Sequence, residues 1–445
     1  MSSVDINGLT PVRRAYGILT GDDEGRVCRD IPESACSEQP RNFMTHVLSL
    51  SLTKVGDGLV DPKLVLAWLM TALGAPAGLI GFLVPVREAG ALLPQLFISG
   101  GIRSLAIRKW IWSAGSIVQG LAVIGMGLVA LTLQGAAAGW AIVGLLAVMA
   151  TARSVCSVSY KDVLGKTVSR STRGTATGTA GSLASGAVLL FGLALSLHLL
   201  EQTVTTIAVV LLFAGGAWLL AGALFTTLQE SPGATEGGGN PFAVAIRQLR
   251  LLGERAQLRR FIAARGLLVA TALAPPYLLA MAGESGRSGL ADLGLFVIAA
   301  ALASILGGYV WGRLSDRSSR KVLALSGLLG AATLAGALVM EQAGLLGQNG
   351  SFWLAPLLFV LTLAYQGVRL GRSTHLVDMA PKDDRAAYTA LANTIIGILL
   401  LGTAAVGVIA ETLGVAAAIG VFAFMSLAGA GVALGLDEVQ QEVPE

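Results

Sequence analysis

Three charged side chains lie inside the first long apolar stretch of the chain. Lys54, Asp57 and Asp61 are spaced i, i+3 and i+7, which puts them on one face of a helix. The next apolar stretch carries Arg87 and Glu88 near its centre. A charge in the middle of a bilayer costs about 2.5–3.5 kcal/mol or more unless it is paired or hydrated. These five residues are therefore predicted to face one another or an aqueous cavity, where they could bind a solute or carry protons.

Depth along the two stretches predicts which of these charges pair. The stretches turn near Ala75, and at about 1.5 Å of rise per residue Asp61 lies roughly 21 Å and Arg87 roughly 18 Å from that turn. A salt bridge between Asp61 and Arg87 is therefore the leading expectation. Lys63 and Glu88 form the competing pair.

Asp57 lies one turn deeper and has no obvious partner on the second stretch. A carboxylate in a low-dielectric site can take up and release protons near neutral pH, so Asp57 is a candidate proton carrier. The alternative is a static bridge between Lys54 and Asp57. Pro62, Gly56 and Gly58 would loosen this helix locally, which suits either a site that rearranges or simple packing.

Signals for other kinds of site are weaker. Tyr365, Gln366, Asn393 and Pro275–Pro276 could line a cavity in the second half, although each residue type also serves for packing or kinks. The sequence has no nucleotide-binding P-loop, metal-ligand cluster or nucleophile–base arrangement. It therefore predicts no cofactor, no metal and no enzyme activity. Its basic residues form no single patch, so nucleic acid is not an expected partner either.

Composition places these residues in a membrane protein. The 445-residue chain is 54% hydrophobic and only 13% charged, with a mean hydropathy of +0.72. Soluble domains carry about 25% charged residues, so this chain has too few charges to coat a water-facing surface. A soluble enzyme is thereby excluded.

Apolar runs of about 20 residues recur along the chain, each long enough to cross a ~30 Å hydrocarbon core as a helix. An all-α fold of twelve transmembrane helices follows. The predicted spans are 45–71, 78–100, 111–133, 139–157, 175–197, 206–226, 261–282, 290–311, 322–340, 352–370, 388–410 and 415–436.

Basic residues predict the orientation. The loops after even-numbered spans hold 21 of the 31 Lys and Arg residues, with Arg153, Arg369 and Arg372 assigned to them. The loops after odd-numbered spans hold only Arg287. By the positive-inside rule, the even loops and both termini are cytoplasmic, as expected for a multi-pass protein of the inner (plasma) membrane.

The two halves of the chain echo each other. Gly100, in the loop after span 2, matches Gly312 after span 8, and Lys109 matches Lys321 at the same offset of 212. Ser104 stands in the first copy where the second has Asp316. Two repeats of about half the chain are typical of a duplicated transporter.

The second copy resembles the loop motif G-x-x-x-D-[RK]-x-G-[RK]-[RK] of the major facilitator superfamily, with Ser319 in place of the second glycine. The matching residues are Gly312, Asp316, Arg317, Arg320 and Lys321. The resemblance covers residues 43–436 and implies two six-helix bundles that rock around a central cavity. It also implies that Asp316, Arg317 and Arg320 form a conformational latch through an Asp–Arg charge relay. The alternative is that these loop charges only set topology.

The chain accordingly divides into five parts. They are a polar cytoplasmic N-terminal tail (1–42), an N-terminal bundle (43–226), a cytoplasmic central loop with a short amphipathic helix (227–260), a C-terminal bundle (261–436) and an acidic cytoplasmic tail (437–445).

The predicted function is secondary active transport of a small organic solute, coupled to protons and performed by a monomer in the lipid bilayer. The mixed charge of spans 1 and 2 fits an anionic or zwitterionic solute. Arg87 would pair with Asp61 in the empty state and with substrate in the loaded state. Two alternatives remain: a non-transporting relative that acts as an assembly factor or sensor, or an exporter of drugs or lipids.

Overall fold

A computed structural model of the chain describes residues 11–21, 36–201, 203–233, 235, 252–284, 290–346, 350–381 and 385–440. The elements of these ranges are helices. They are α1 Pro11–Thr20, α2 Gln39–Leu59, α3 Val65–Ala72, α4 Ala77–Ile80, α5 Leu83–Leu92, α6 Pro94–Arg103, α7 Lys109–Thr132, α8 Gly135–Thr167, α9 Arg170–Ser196, α10 Val204–Thr226, α11 Ala256–Leu268, α12 Ala270–Leu273, α13 Pro275–Glu284, α14 Leu290–Arg317, α15 Ser319–Gln342, α16 Gly350–Met379, α17 Arg385–Gly402, α18 Ala405–Leu413 and α19 Val415–Leu434.

These helices make twelve spans, six in each half. Ten of the spans are long and apolar enough to cross a membrane as they stand. The other two are the predicted spans 1 and 2, which are broken into α2–α3 and α4–α6. The amphipathic helix expected in the central loop lies largely outside the described residues.

Span 1 breaks at Asp61 and Pro62. Proline donates no N–H and disfavours a helical conformation in the residue before it, so α2 ends at Leu59. The Asp61 carboxylate then holds the turn before α3, because its Oδ1 accepts the backbone N–H groups of Lys63 at 2.7 Å and Leu64 at 3.2 Å. Irregular backbone at membrane depth is tolerated where it lines a cavity.

The two halves touch through glycines at one end of the bundle. We call this the turn end, since it holds the loops after odd-numbered spans; the opposite end, with the loops after even-numbered spans, is the basic end. A Cβ atom on Gly81 would lie 2.6 Å from the Cα of Gly407. Likewise, a Cβ on Gly294 would lie 2.6 Å from the backbone N of Ser196. Spans 2 and 11, and spans 5 and 8, therefore cross in backbone contact at the turn end.

Candidate functional site

A cavity of about 680 Å³ lies between the two halves, on the basic-end side of the glycine crossings. Spans 1, 2, 4 and 5 form one wall, and spans 7, 8 and 10 form the other. The structure places all five charged residues of the sequence-predicted site on this cavity, namely Lys54, Asp57, Asp61, Arg87 and Glu88.

Asp57 is the ion-pair centre of the cavity. Its Oδ1 lies 2.9 Å from the Arg87 guanidinium, and its Oδ2 pairs with Arg153 of α8. The expected Asp61–Arg87 salt bridge is therefore wrong, as is the expectation that Asp57 lacks a partner on span 2. The depth calculation assumed two continuous helices, but span 1 is broken at residues 60–64 and span 2 is divided into short helices.

The two lysines of span 1 do not pair as expected either. Lys54 Nζ donates to the carbonyl oxygen of Thr177 at 3.0 Å, so the static Lys54–Asp57 bridge is not formed. Lys63 Nζ lies 3.5 Å from the centroid of the Tyr365 ring, a cation–π contact. The Lys63–Glu88 pair is likewise not formed at ion-pair distance in the described part of the chain.

Span 10 contributes two arginines that the sequence assigned to a loop. Arg369 and Arg372 lie inside α16 and line the cavity. Together with Tyr365 they are spaced i, i+4 and i+7, the spacing of one helix face. That spacing was the available signal, and it was missed because both arginines, at the end of the predicted span 352–370, were counted with the loop that follows. Arg153 was likewise counted with a loop although the predicted span 139–157 contains it, and it lies inside α8.

The remaining second-half candidates divide between the cavity and the packing around it. Tyr365, Gln366 and Pro275 lie on the cavity wall, where the Gln366 side chain donates to Ser304 Oγ at 3.0 Å. Asn393 instead accepts a hydrogen bond from the buried Arg265 side chain at 2.9 Å.

The charges on the cavity wall do not balance. Six cationic side chains face three carboxylates, leaving an excess of three positive charges. The cations are Lys54, Lys63, Arg87, Arg153, Arg369 and Arg372, and the carboxylates are Asp57, Asp61 and Glu88.

The loop motif after span 8 contacts the segment that follows span 12. The Arg320 guanidinium lies 3.5 Å from the Glu438 carboxylate, which also accepts the Ser318 hydroxyl at 2.6 Å. Gly312 is half-buried, whereas Arg317 and Lys321 are exposed. The Asp316 side chain lies outside the described residues. In the structure, Arg320 is thus held by the C-terminal segment.

The first half has a matching contact. The buried Glu230, just after span 6, accepts the backbone N–H groups of Arg108 at 2.9 Å and Lys109 at 2.7 Å, at the start of α7. Its carboxylate also pairs with Lys166 at 3.1 Å. A negative charge at a helix N-terminus is favourable. In each half, therefore, a glutamate after the sixth span stabilises the start of the third.

Comparisons with known proteins agree with this architecture. Residues 261–445 match the family model of the Major Facilitator Superfamily. No curated protein sequence matches the chain.

Three solved structures are similar in fold along nearly their whole length. A D-xylose–proton symporter has a TM-score of 0.67 at 12% identity, covering 89% of this chain and 98% of its own. A POT family transporter in complex with a thioalcohol-conjugated peptide has a TM-score of 0.67 at 11% identity, covering 92% and 98%. A mutant of the nucleoside transporter NupG has a TM-score of 0.66 at 12% identity, covering 88% and 99%. The predicted twelve-helix fold is confirmed.

Proposed function

We propose that this chain is a member of the major facilitator superfamily and moves a small organic solute across the inner membrane as a monomeric secondary transporter. The observation that carries the proposal is the charged cavity between two six-span halves that touch through glycines at one end. A site of this kind can face either side of the membrane in turn when the halves rock. The D-xylose–proton symporter, which is similar in fold, supports this proposal.

The cavity's position supports an inward-facing state. It lies on the basic-end side of the crossings, and the positive-inside rule puts the basic end, with both termini, in the cytoplasm. Opening the turn end would then require separation of Gly81 from Gly407. In the outward-facing state, Asp316, Arg317 and Arg320 would act as the latch that the loop motif implies.

Proton coupling would act through Asp57. Its carboxylate joins span 1 to span 2 through Arg87 and to span 4 through Arg153. Protonation would weaken both ion pairs at once and so release three spans from one another. The other cavity carboxylates, Asp61 and Glu88, and the cation Lys54 would adjust the charge around this centre.

The test compares cells that make the intact protein with cells that make Asp57→Asn, using untargeted analysis of small molecules inside and outside. We expect one solute to be redistributed only by the intact protein, and a protonophore to abolish that redistribution. Asp437→Asn is the matched control, because Asp437 is exposed and lies outside the cavity.

Two results would contradict the proposal. Full protonophore-sensitive transport by Asp57→Asn would remove the coupling role of Asp57. Redistribution of no solute, in cells with confirmed membrane expression, would favour an assembly factor or sensor over a transporter.

A further inference from the structure

We propose that the transported solute is an organic anion whose negative group is bound by Arg369 and Arg372 of span 10 together with Lys63 of span 1. This inference rests on the proposed function and deepens it by naming the substrate class. All three side chains line the central cavity, and they approach it from both halves of the molecule.

The cations of the cavity differ in whether a partner already holds them. Arg87 and Arg153 are paired with Asp57, and Lys54 donates to a backbone carbonyl. Within the described residues, no carboxylate lies at ion-pair distance from Arg369 or Arg372, and neither donates a hydrogen bond to the protein. These two guanidinium groups are the strongest unused donors on the wall.

Among the residues that the structure describes, Lys63 and the two arginines share their part of the cavity with a single unpaired carboxylate, Glu88. Arg87 is already paired with Asp57, so one negative charge remains for three positive charges. Uncompensated charge is costly inside a membrane protein. A bound anion would supply the missing negative charge.

The geometry of the donors suits this class of ligand. A guanidinium presents paired N–H groups that match a carboxylate or a phosphate, and Lys63 adds a point charge from the opposite wall. The Tyr365 ring, 3.5 Å from Lys63 Nζ, offers an apolar face beside them. A volume of about 680 Å³ is within the range of small-molecule sites.

The contacts of the cavity carboxylates argue against a solute whose positively charged group must be bound by a carboxylate. Asp57 has two arginine partners, and Asp61 accepts two backbone N–H groups. Glu88 shares the cavity with Lys63, Arg369 and Arg372. A ligand ammonium group would therefore meet two carboxylates that already have partners and one that is outnumbered by cations.

The experiment measures binding without transport. Purified protein in nanodiscs of neutral phosphatidylcholine is heated with acetate, succinate, citrate or glycerol 3-phosphate, with the neutral controls acetamide, succinamide and glycerol, and with the cation putrescine. We expect at least one anion, and none of the controls, to raise the unfolding temperature. A repeat with phosphatidylglycerol in the nanodisc tests whether a lipid headgroup occupies the site instead.

Variants locate the effect. Arg369→Gln and Arg372→Gln should each weaken the apparent affinity for that anion by about tenfold or more, the loss of a charge-assisted hydrogen bond. Glu88→Gln should instead strengthen binding several-fold, because it removes the competing carboxylate. Arg14→Gln is the control, since Arg14 is exposed on α1, away from the cavity. If one arginine variant fails to fold, the other and Glu88→Gln still decide the question.

The outcomes separate the inference from the function on which it rests. Stabilisation by no anion, or equally by neutral analogues, or unchanged in both arginine variants, would overturn the anion site. If the anion no longer raises the unfolding temperature in nanodiscs that contain phosphatidylglycerol, the site would be assigned to a lipid headgroup. An anion that binds but is not carried by proteoliposomes would leave the site standing and overturn the transporter. Transport of a neutral solute at full rate by Arg369→Gln would support the transporter and overturn the anion site.

Discussion

At the scale of single residues, Asp57 links three spans through one carboxylate. Its side chain is 22% exposed, and that of Arg87 is 14% exposed, so water reaches both groups of this pair. Partial hydration makes the pair weaker than a fully buried one, whose disruption costs about 3–5 kcal/mol. An ion pair of intermediate strength suits a centre that opens and closes in the proposed transport cycle.

Asp61 has a structural role that can be tested separately from its charge. Because its Oδ1 accepts two backbone N–H groups in the turn before α3, Asp61→Ala should lower the free energy of unfolding by about 1–2 kcal/mol, whereas Asp61→Asn should keep most of these hydrogen bonds. Denaturant unfolding of the purified protein in detergent measures both. Equal stability of the alanine and asparagine variants would show that these hydrogen bonds contribute nothing. Loss of transport in a stable Asp61→Asn would show that the charge matters in its own right.

At the scale of helices, spans 1 and 2 differ from the other ten in composition. They hold the five charged residues of the sequence-predicted site, and neither contains a helix long and apolar enough to cross a membrane. Spans 7 and 11 are also divided, into α11–α13 and α17–α18, but they remain apolar over a membrane length. The charged residues of the predicted site therefore lie where the helices are short and interrupted.

The contact between spans 2 and 11 should be sensitive to a single added side chain. A Cβ on Gly81 would lie 2.6 Å from the Gly407 Cα, a backbone atom that cannot move aside cheaply. Gly81→Val is therefore expected to push the turn ends apart and to shift the population toward the state open at that end. Spin-label distances between the halves at the turn end measure the shift.

Gly144→Val is the matched control for this prediction. Nothing lies within 4 Å of a Cβ built on Gly144, which is exposed on α8. The spin-label distances between the halves in Gly144→Val should therefore stay as in the parent protein. Unchanged distances in Gly81→Val as well would mean that the crossing does not hold the halves together.

Sequence reasoning succeeded where a signal is summed over many residues and failed where it depends on single contacts. Hydropathy over twenty-residue windows predicted the twelve spans, and the fold of the similar solved structures confirms that architecture. The loop motif predicted the superfamily, whose family model matches the second half of the chain, residues 261–445. Pairing failed because the break in span 1 at residues 60–64 changes the depth of every residue beyond it. Arg369 and Arg372 were missed because α16 continues about two turns past its apolar run, and a polar helix end looks like a loop.

At the scale of the whole molecule, the position of the cavity predicts from which side it can be reached. In a background with the native cysteines replaced by serine, Ser185→Cys on the cavity wall should react with a membrane-impermeant thiol reagent only from the basic end. Vesicles of the two orientations provide the comparison.

Thr412→Cys, exposed near the turn end, is the control and should react only from the other side. Labelling of Ser185→Cys from the turn end alone would contradict the state described here, and labelling of both cysteines from one side would contradict the twelve-span topology.

The excess of positive charge in the cavity predicts that the proposed transport cycle depends on membrane voltage. Moving one elementary charge through a potential of 100 mV is worth about 2.3 kcal/mol. If the halves rock as proposed, a cavity with six cations and three carboxylates carries part of that charge through the field. With the basic end in the cytoplasm, an interior-negative potential would then favour the empty protein with its cavity toward the cytoplasm, and a bound anion would cancel much of that preference. The loaded and empty steps of the cycle would then differ in electrogenicity, with the empty step the more voltage-dependent of the two.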